Sequence, residues 1–275
     1  MEIKFKKSNN NHSTNIHIVD EVPFLTFSKM ERAGVKHGFS TRLGGVSRGM
    51  FSSMNLSYHR GDVRESVDEN YCRMGKAIGF TLEQRVFSNQ IHGTEIKVVS
   101  KEDCGKVMTG MDGLITDEPG ICLVTSYADC VPLFFYDSVK KVIASSHSGW
   151  KGTVGRIGRK TVEMMQDIYH SDPKNIIAAI GPSICRDCYE ISEDVAVKFR
   201  EEFPDAWYQE FMTEKGNGKY QLDLWKVNER ILLDAGIEEK NLDITDICTC
   251  CNPELLFSHR ASKGKRGNLA GFICL

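Results

Sequence analysis

Apolar residues recur at helical intervals in four stretches of the chain. From Asp62 onward, Val67, Tyr71, Met74 and Ile78 fall four, three and four residues apart, and Gly79 follows as a stop. A second stripe, Val154, Ile157, Thr161, Met164 and Ile168, predicts a helix over 153–170. Ser192 can cap a third, carrying Val195, Phe199 and Phe203, because its hydroxyl accepts from the free N–H groups of a first turn. Asp223 caps a fourth, with Leu224, Val227, Ile231 and Ala235 on one face and Gly236 beyond it.

Short apolar and β-branched runs predict strands over 35–41, 85–91, 94–99, 121–127, 131–136, 142–146, 176–180, 242–247, 255–260 and 269–274. Several are apolar without alternation, as in strands covered on both faces. Helices and strands mix without strict βαβ order. The expected class is α/β (α+β), one domain with mixed β-sheets flanked by helices. Residues 1–19, with the polar run Ser8-Asn9-Asn10-Asn11-His12-Ser13, read as a mobile N-terminal arm. No linker, charge block or repeat divides the remainder, so residues 20–275 form the domain. Asn217-Gly218-Lys219 reads as a turn inside it.

Charge removes some function classes. With 35 basic and 37 acidic residues the net charge is −2, which recruits neither nucleic acid nor membrane. A secretory signal needs about 7–15 consecutive apolar residues and a membrane span about 20, and neither run occurs. Ten cysteines without an export signal are expected as reduced thiols in the cytoplasm. Neither common glycine-rich nucleotide fingerprint is present.

Three residues are at odds with their settings. His92 lies in Gln90-Ile91-His92-Gly93, Cys130 closes Thr125-Ser126-Tyr127-Ala128-Asp129-Cys130, and His147 ends Val142-Ile143-Ala144-Ser145-Ser146-His147. Two imidazoles and a thiolate are a set zinc uses when it keeps a fourth position open. Taken singly, a buried Cys is commonly a small hydrophobe and a strand-end His a hydrogen-bonded structural residue. The separations of 38 and 17 residues form no local metal motif. The argument is their conjunction with Asp129 and the serines around His147, polar groups at the ends of apolar strands where burial is costly unless used.

Other segments suggest anion binding. Ser148-Gly149-Trp150-Lys151-Gly152-Thr153 leads into a helix, where free N–H groups with Lys151 and Arg156 would seat an anion. Arg42, ahead of Gly44-Gly45, could grip phosphate with its planar fork. Asp112 or Asp129 could carry a proton, and Asp129 could instead orient a ligand. Cys185-Arg186-Asp187-Cys188 is a Cys-x-x-Cys pair. The cluster Cys248, Cys250 and Cys251 is read as lacking the spacing of a second knuckle, so reduced, partly buried thiols are expected at both places.

Arg42-Leu43-Gly44-Gly45-Val46-Ser47, Gln90-Ile91-His92-Gly93, Met111-Asp112-Gly113-Leu114-Ile115-Thr116 and Ala128-Asp129-Cys130-Val131-Pro132 share one likeness. So do His147-Ser148-Gly149-Trp150-Lys151-Gly152-Thr153, Ile180-Gly181-Pro182-Ser183-Ile184 and Cys188-Tyr189-Glu190. In order and spacing, from about residue 20 onward, the chain resembles the YfiH-type, laccase-domain family of bacterial and animal purine nucleoside phosphorylases. The resemblance implies a zinc site on His92, Cys130 and His147, with copper as the alternative metal from an older description of members as polyphenol oxidases. It implies cleavage of adenosine, inosine and methylthioadenosine with phosphate, and deamination of adenosine. A bacterial member is linked to peptidoglycan quality control. Ser258-His259-Arg260-Ala261 stands where the family has Tyr-Arg-Arg, Lys265-Arg266-Gly267-Asn268 where it has Thr-Gly-Arg, and Lys151 where many relatives have Arg.

The leading expectation is therefore a cytoplasmic zinc enzyme acting on purine nucleosides and phosphate, with Arg42, Lys151 and Asp112 as substrate contacts and the oligomeric state open. One rival is a metal-independent hydrolase with Cys130 as a nucleophile activated by His147. A copper oxidase fits poorly, since the eight histidines are scattered and no His-x-His occurs. A non-enzymatic, zinc-stabilised module for cell-wall fragments is the remaining class.

Overall fold

The computed structural model describes residues 3–9, 11 and 13–275. Strand Val131–Asp137 shows why the apolar runs lack alternation. Val131, Leu133 and Phe135 pack to one side and Phe134 and Tyr136 to the other, all buried. Successive side chains point to opposite faces, so a strand covered twice must be apolar throughout.

Two large mixed sheets share the interior. The first has seven strands in the spatial order Thr14–Val19, Val22–Phe27, Lys36–Ser40, Leu269–Cys274, Cys122–Tyr127, Arg85–Asn89 and Val107–Thr109. The second has six: Leu242–Ile244, Ile176–Ile180, Val131–Asp137, Val142–Ser148, Gly113–Thr116 and Ile96–Val98. Leu25, Phe27, Phe39, Leu123, Tyr127, Phe134 and Ile143 fill the space between them. Helix Arg64–Ile78 covers the outer face of the first sheet through Val67, Tyr71 and Met74 against Phe24, Val124 and Phe272. Helices Ile157–Tyr169 and Leu224–Asp234 cover the second through Ile157, Val162 and Ile231 against Leu133 and Ala144. A small sheet, Glu190–Ser192, Lys219–Leu222 and Met212–Gly216, flanks that layer. No helix among the described residues is long and apolar enough to cross a membrane.

All four expected helices form. Gly79 adopts the left-handed conformation at φ 97° that ends the first. The second begins later, at Ile157, after the short helix Trp150–Val154, and buries Ile157, Thr161, Val162 and Met165 while Ile168 is exposed. The expected strand over 255–260 is absent: a turn there feeds helix His259–Ser262, capped by the Ser258 side chain. Leu256 and Phe257 are apolar because they plug the core from that turn.

The expectation of a mobile arm over 1–19 differs most. Lys6 N donates to Asn252 Oδ1 at 2.6 Å and Ser8 N to Asp246 O at 2.8 Å, so this stretch is fastened to 246–252. Thr14–Val19 then pairs antiparallel with Val22–Phe27. Asp20 and Glu21, both at positive φ, make the tight turn that matches strand twist. Residues 1, 2, 10 and 12 of the expected arm lie outside the described residues.

Candidate metal centre and cleft

Three connections deliver the candidate ligands to one end of the seam between the sheets. His92 lies in the loop after Arg85–Asn89. The buried Asp112 carboxylate curls that loop by accepting from the N–H groups of Ile91 (3.0 Å), His92 (3.0 Å) and Gly93 (2.8 Å). His92 is thereby held at φ 63°, a conformation few non-glycine residues adopt. Cys130 ends the turn by which the chain passes from Cys122–Tyr127 in one sheet to Val131–Asp137 in the other. Asp129, at φ 87°, is pinned by Thr249 Oγ1 (2.6 Å) and Arg260 N (2.7 Å) on its carboxylate. His147 shares its strand face with Ile143 and Ser145, and its Nδ1 stands 2.8 Å from Asp112 Oδ1. Asp112 therefore fixes Nδ1 as the protonated nitrogen and leaves Nε2 free to ligate.

The ligand atoms of His92, Cys130 and His147 all lie within 4.8 Å of one another. Zinc with bonds of about 2.0–2.3 Å to nitrogen and sulfur fits inside such a triangle. Gly149 lines it. A Cβ there would stand 3.0 Å from His92 Cδ2 and 3.2 Å from Cys130 Sγ, so no larger residue leaves the space intact. Burial pushes the Cys130 thiol up, but the charge and hydrogen bonds of His147 and His92 outweigh it and bring its pKa down to about 6. Burial likewise disfavours charged His147, and the Cys130 thiolate and Asp112 overcome this, raising it to about 9. Two anionic groups around one buried imidazole suit a cation. Exposed His92, half-buried Cys130 and buried His147 step from the solvent edge inward.

The triad floors a cleft of about 530 Å³ whose walls include Tyr58, Phe87, Asn89, Gln90, Arg60, Arg64, Arg85 and Arg266. Arg266 is short of counter-charge. Burial, followed by the positive charge of Arg60, lowers its pKa to about 10, and its buried Nε has no hydrogen-bond partner. Arg85 packs over Tyr71 and Phe87, and its buried Nη1 is also without a partner. These arginines are the residues that sequence reasoning missed. In the sequence Arg266 stands out only as a displaced family arginine, and nothing in the 57–64 segment marks Arg60 or Arg64 as facing a pocket.

Arg42, Lys151 and Asp112, expected as substrate contacts, are not among the walls of this cleft. Arg42 donates to the Ser52 carbonyl (2.9 Å) and the Pro253 carbonyl (2.6 Å) and stacks on Phe257, outside the cleft walls. Lys151 is exposed over Trp150, and Arg156 is engaged by Glu202, so neither lines the cleft. The carboxylates of Asp112 and Asp129 are occupied by hydrogen bonds from the loop and turn residues around them. Arg260 donates to the Cys188 and Glu190 carbonyls. The reading of the second cysteine cluster needs correction: Cys248 and Cys251 are themselves a Cys-x-x-Cys pair. The thiols of Cys185, Cys188, Cys248 and Cys251 gather within 4.8 Å, with Cys250 outside the group.

A family model described as "Multi-copper polyphenol oxidoreductase laccase" matches residues 36–275. Purine nucleoside phosphorylase YlmD of Geobacillus stearothermophilus is 36% identical over 252 residues, covering 88% of this chain and 90% of that protein. Purine nucleoside phosphorylase of Deinococcus radiodurans is 37% identical over 253 residues, covering 92% of this chain and 94% of that protein. The crystal structure of Bacillus licheniformis hypothetical protein YfiH superposes with a TM-score of 0.89 at 32% identity, over 94% of this chain and 98% of that one. With that architecture and sequence match, the chain belongs to the YfiH-type, laccase-like family.

Proposed function

We propose that the protein is a zinc-dependent purine nucleoside phosphorylase that cleaves adenosine, inosine and methylthioadenosine with phosphate, and that it also deaminates adenosine. The observation that carries this reading is the meeting of His92, Cys130 and His147 at the floor of a cleft walled by arginines and aromatic rings. The name purine nucleoside phosphorylase, borne by relatives that match nearly end to end, supports it. Bound at the triad, zinc supplies a Lewis acid that stabilises charge on a departing purine or activates water. Asp112 keeps the His147 ring oriented through its Nδ1. Tyr58 and Phe87 offer apolar faces to a purine, and Arg60, Arg64 and Arg266 offer charge to phosphate. In phosphorolysis the bond from ribose C1′ to the purine nitrogen breaks, its electrons leave with the base, and a phosphate oxygen bonds to C1′. The free cysteines fit a reducing, cytoplasmic setting.

Chromatography of products from adenosine, inosine and methylthioadenosine, with and without phosphate, tests the reading. Free base released only with phosphate by the wild type and not by Cys130→Ala is the expected result. Base release without phosphate, or undiminished release by the variant, contradicts it.

A second reading has its own support. A thiol near 6 beside an imidazole near 9 is also the ion pair of a cysteine nucleophile. Under it, metal-free protein is active and is inactivated by alkylation of Cys130; under zinc dependence, a chelator abolishes activity and zinc restores it. Copper oxidation has support from the family description alone. Among the described residues the histidines supply only one mononuclear ligand group, whereas multicopper chemistry needs several.

A further inference from the structure

Two Cys-x-x-Cys turns meet beside the cleft, far apart in sequence. Cys185–Cys188 follows strand Ile176–Ile180, and Cys248–Cys251 follows its parallel neighbour Leu242–Ile244. The same pairing continues beyond the strands, with a bridge between Ser183 and Cys248 and Thr249 N donating to Ser183 O at 3.0 Å. The strand register therefore brings both turns to one place. There Cys188 Sγ is 3.4 Å and Cys185 Sγ 4.0 Å from Cys251 Sγ, and all four sulfurs lie within 4.8 Å of one another. Four thiolates bonded at about 2.3 Å to one tetrahedral ion stand about 3.8 Å apart. The observed spacing straddles that value.

We infer that Cys185, Cys188, Cys248 and Cys251 form a second metal site, a closed tetrathiolate that holds one zinc ion. The backbone supports thiolate sulfur: the N–H groups of Cys185 and Cys251 donate to Cys248 Sγ at 3.2 and 3.4 Å. Cys185 and Cys248 are buried and their partners half-buried, so four protein ligands complete the shell and leave no position for substrate. A multi-iron cluster does not fit the gap, because its own sulfides would hold the cysteines further apart. Soft thiolates at tetrahedral spacing suit zinc, and a single iron ion is the common rival at the same spacing.

The site has work to do beside the cleft. Thr249, inside the second turn, donates to Asp129, and Ile184, beside the first, donates to the Asp129 carbonyl at 3.0 Å. Arg260, whose N–H takes the other Asp129 oxygen, binds the Cys188 carbonyl at 3.0 Å. Closing the two turns on one ion therefore locks the segment that sets Cys130. Metal binding at such a site adds to folding stability, since the unfolded chain has no preformed ligand set.

Elemental analysis of the full chain tests this, using a His92→Ala/Cys130→Ala variant in which the triad is removed. That variant is expected to retain one zinc per chain, and adding Cys188→Ser and Cys251→Ser is expected to release it and lower the melting temperature. Should the added substitutions prevent folding, cobalt loading of the His92→Ala/Cys130→Ala protein gives the answer. Four thiolates produce strong thiolate-to-cobalt absorption that the disabled triad cannot supply. The inference fails if that variant carries neither zinc nor the cobalt band, if the four thiols are recovered as disulfides in non-reducing mass spectrometry, or if the bound metal is iron.

Discussion

Replacing Asp112 by Asn changes one atom and should disable the centre. The Oδ1 atom of Asp112 accepts from His92 N and His147 Nδ1, and Oδ2 from Ile91 N and Gly93 N. An amide has one oxygen and an NH2 group, so in either orientation two of the four donors face another donor. A buried donor left without an acceptor costs about 1–3 kcal/mol; His147 Nδ1 is such a donor, whereas the N–H groups of Ile91, His92 and Gly93 are only partly buried, so the pair costs on the order of 1–3 kcal/mol. At about 2 °C per kcal/mol, the low end for chains somewhat smaller than this one, the melting temperature falls by about 2–6 °C. If the amide nitrogen faces His147, the acceptor that fixes its protonated nitrogen is gone. If it faces the other way, the loop that sets His92 loosens. Loss of such an orienting carboxylate lowers metal affinity by about 10–100-fold. Calorimetry of the melting transition and competition with a chromogenic chelator measure the two effects. An Asp112→Asn protein with unchanged melting temperature and unchanged zinc affinity would refute the orienting role.

Other outcomes follow from the same geometry. Gly149→Ala places a methyl group 3.0 Å from His92 and 3.2 Å from Cys130, so in a Cys188→Ser/Cys251→Ser background, where only the triad can hold zinc, zinc affinity should fall while circular dichroism stays as in that background; unchanged affinity would count against the triangle as the site. Arg266→Ala should raise the KM for phosphate by roughly 10–100-fold, the equivalent of one charge-assisted bond of about 1.5–3 kcal/mol, with little change in nucleoside KM. An effect confined to nucleoside KM would place phosphate elsewhere. His37 is buried with Nε2 accepting from Phe27 N and Nδ1 against the Val35 carbonyl, and burial lowers its pKa. Its neutral form contributes stability that is complete above about pH 6.5 and lost as pH falls through the lowered value, because the unfolded state takes up the proton first. An NMR titration placing His37 at or above the ordinary histidine value would contradict this.

The sequence disclosed more of the chemistry than of the cleft. The convergence of His92, Cys130 and His147 was legible because polar groups at the ends of apolar strands are costly unless used, and the strands themselves declared their ends. The helices were legible from periodicity and from the Asp223 cap, although the Ser192 hydroxyl donates to Asp194 and makes no cap, and the buried face of Ile157–Tyr169 runs through Val162 and Met165 while Ile168 is exposed. The hairpin of Thr14–Val19 and Val22–Phe27 escaped notice because its outer strand sits at a sheet edge, half-exposed and polar in part. Its turn residues, Asp20 and Glu21, lack the glycine that announces positive φ. Arg42 lies outside the cleft walls because its planar fork is taken up by the Ser52 and Pro253 carbonyls, and only the fold decides which acceptors are in reach. Arg60 and Arg64 from one segment and Arg266 from the far end of the chain reach one cleft, a convergence no local pattern records.

The central claim is that His92, Cys130 and His147 share one zinc ion. Anomalous diffraction at the zinc edge, from crystals of protein that releases purine base from inosine with phosphate, measures it directly. The expected map has a peak among the three side chains at bonding distances of about 2.0–2.3 Å. Equally active protein with no anomalous density between those residues would contradict the account.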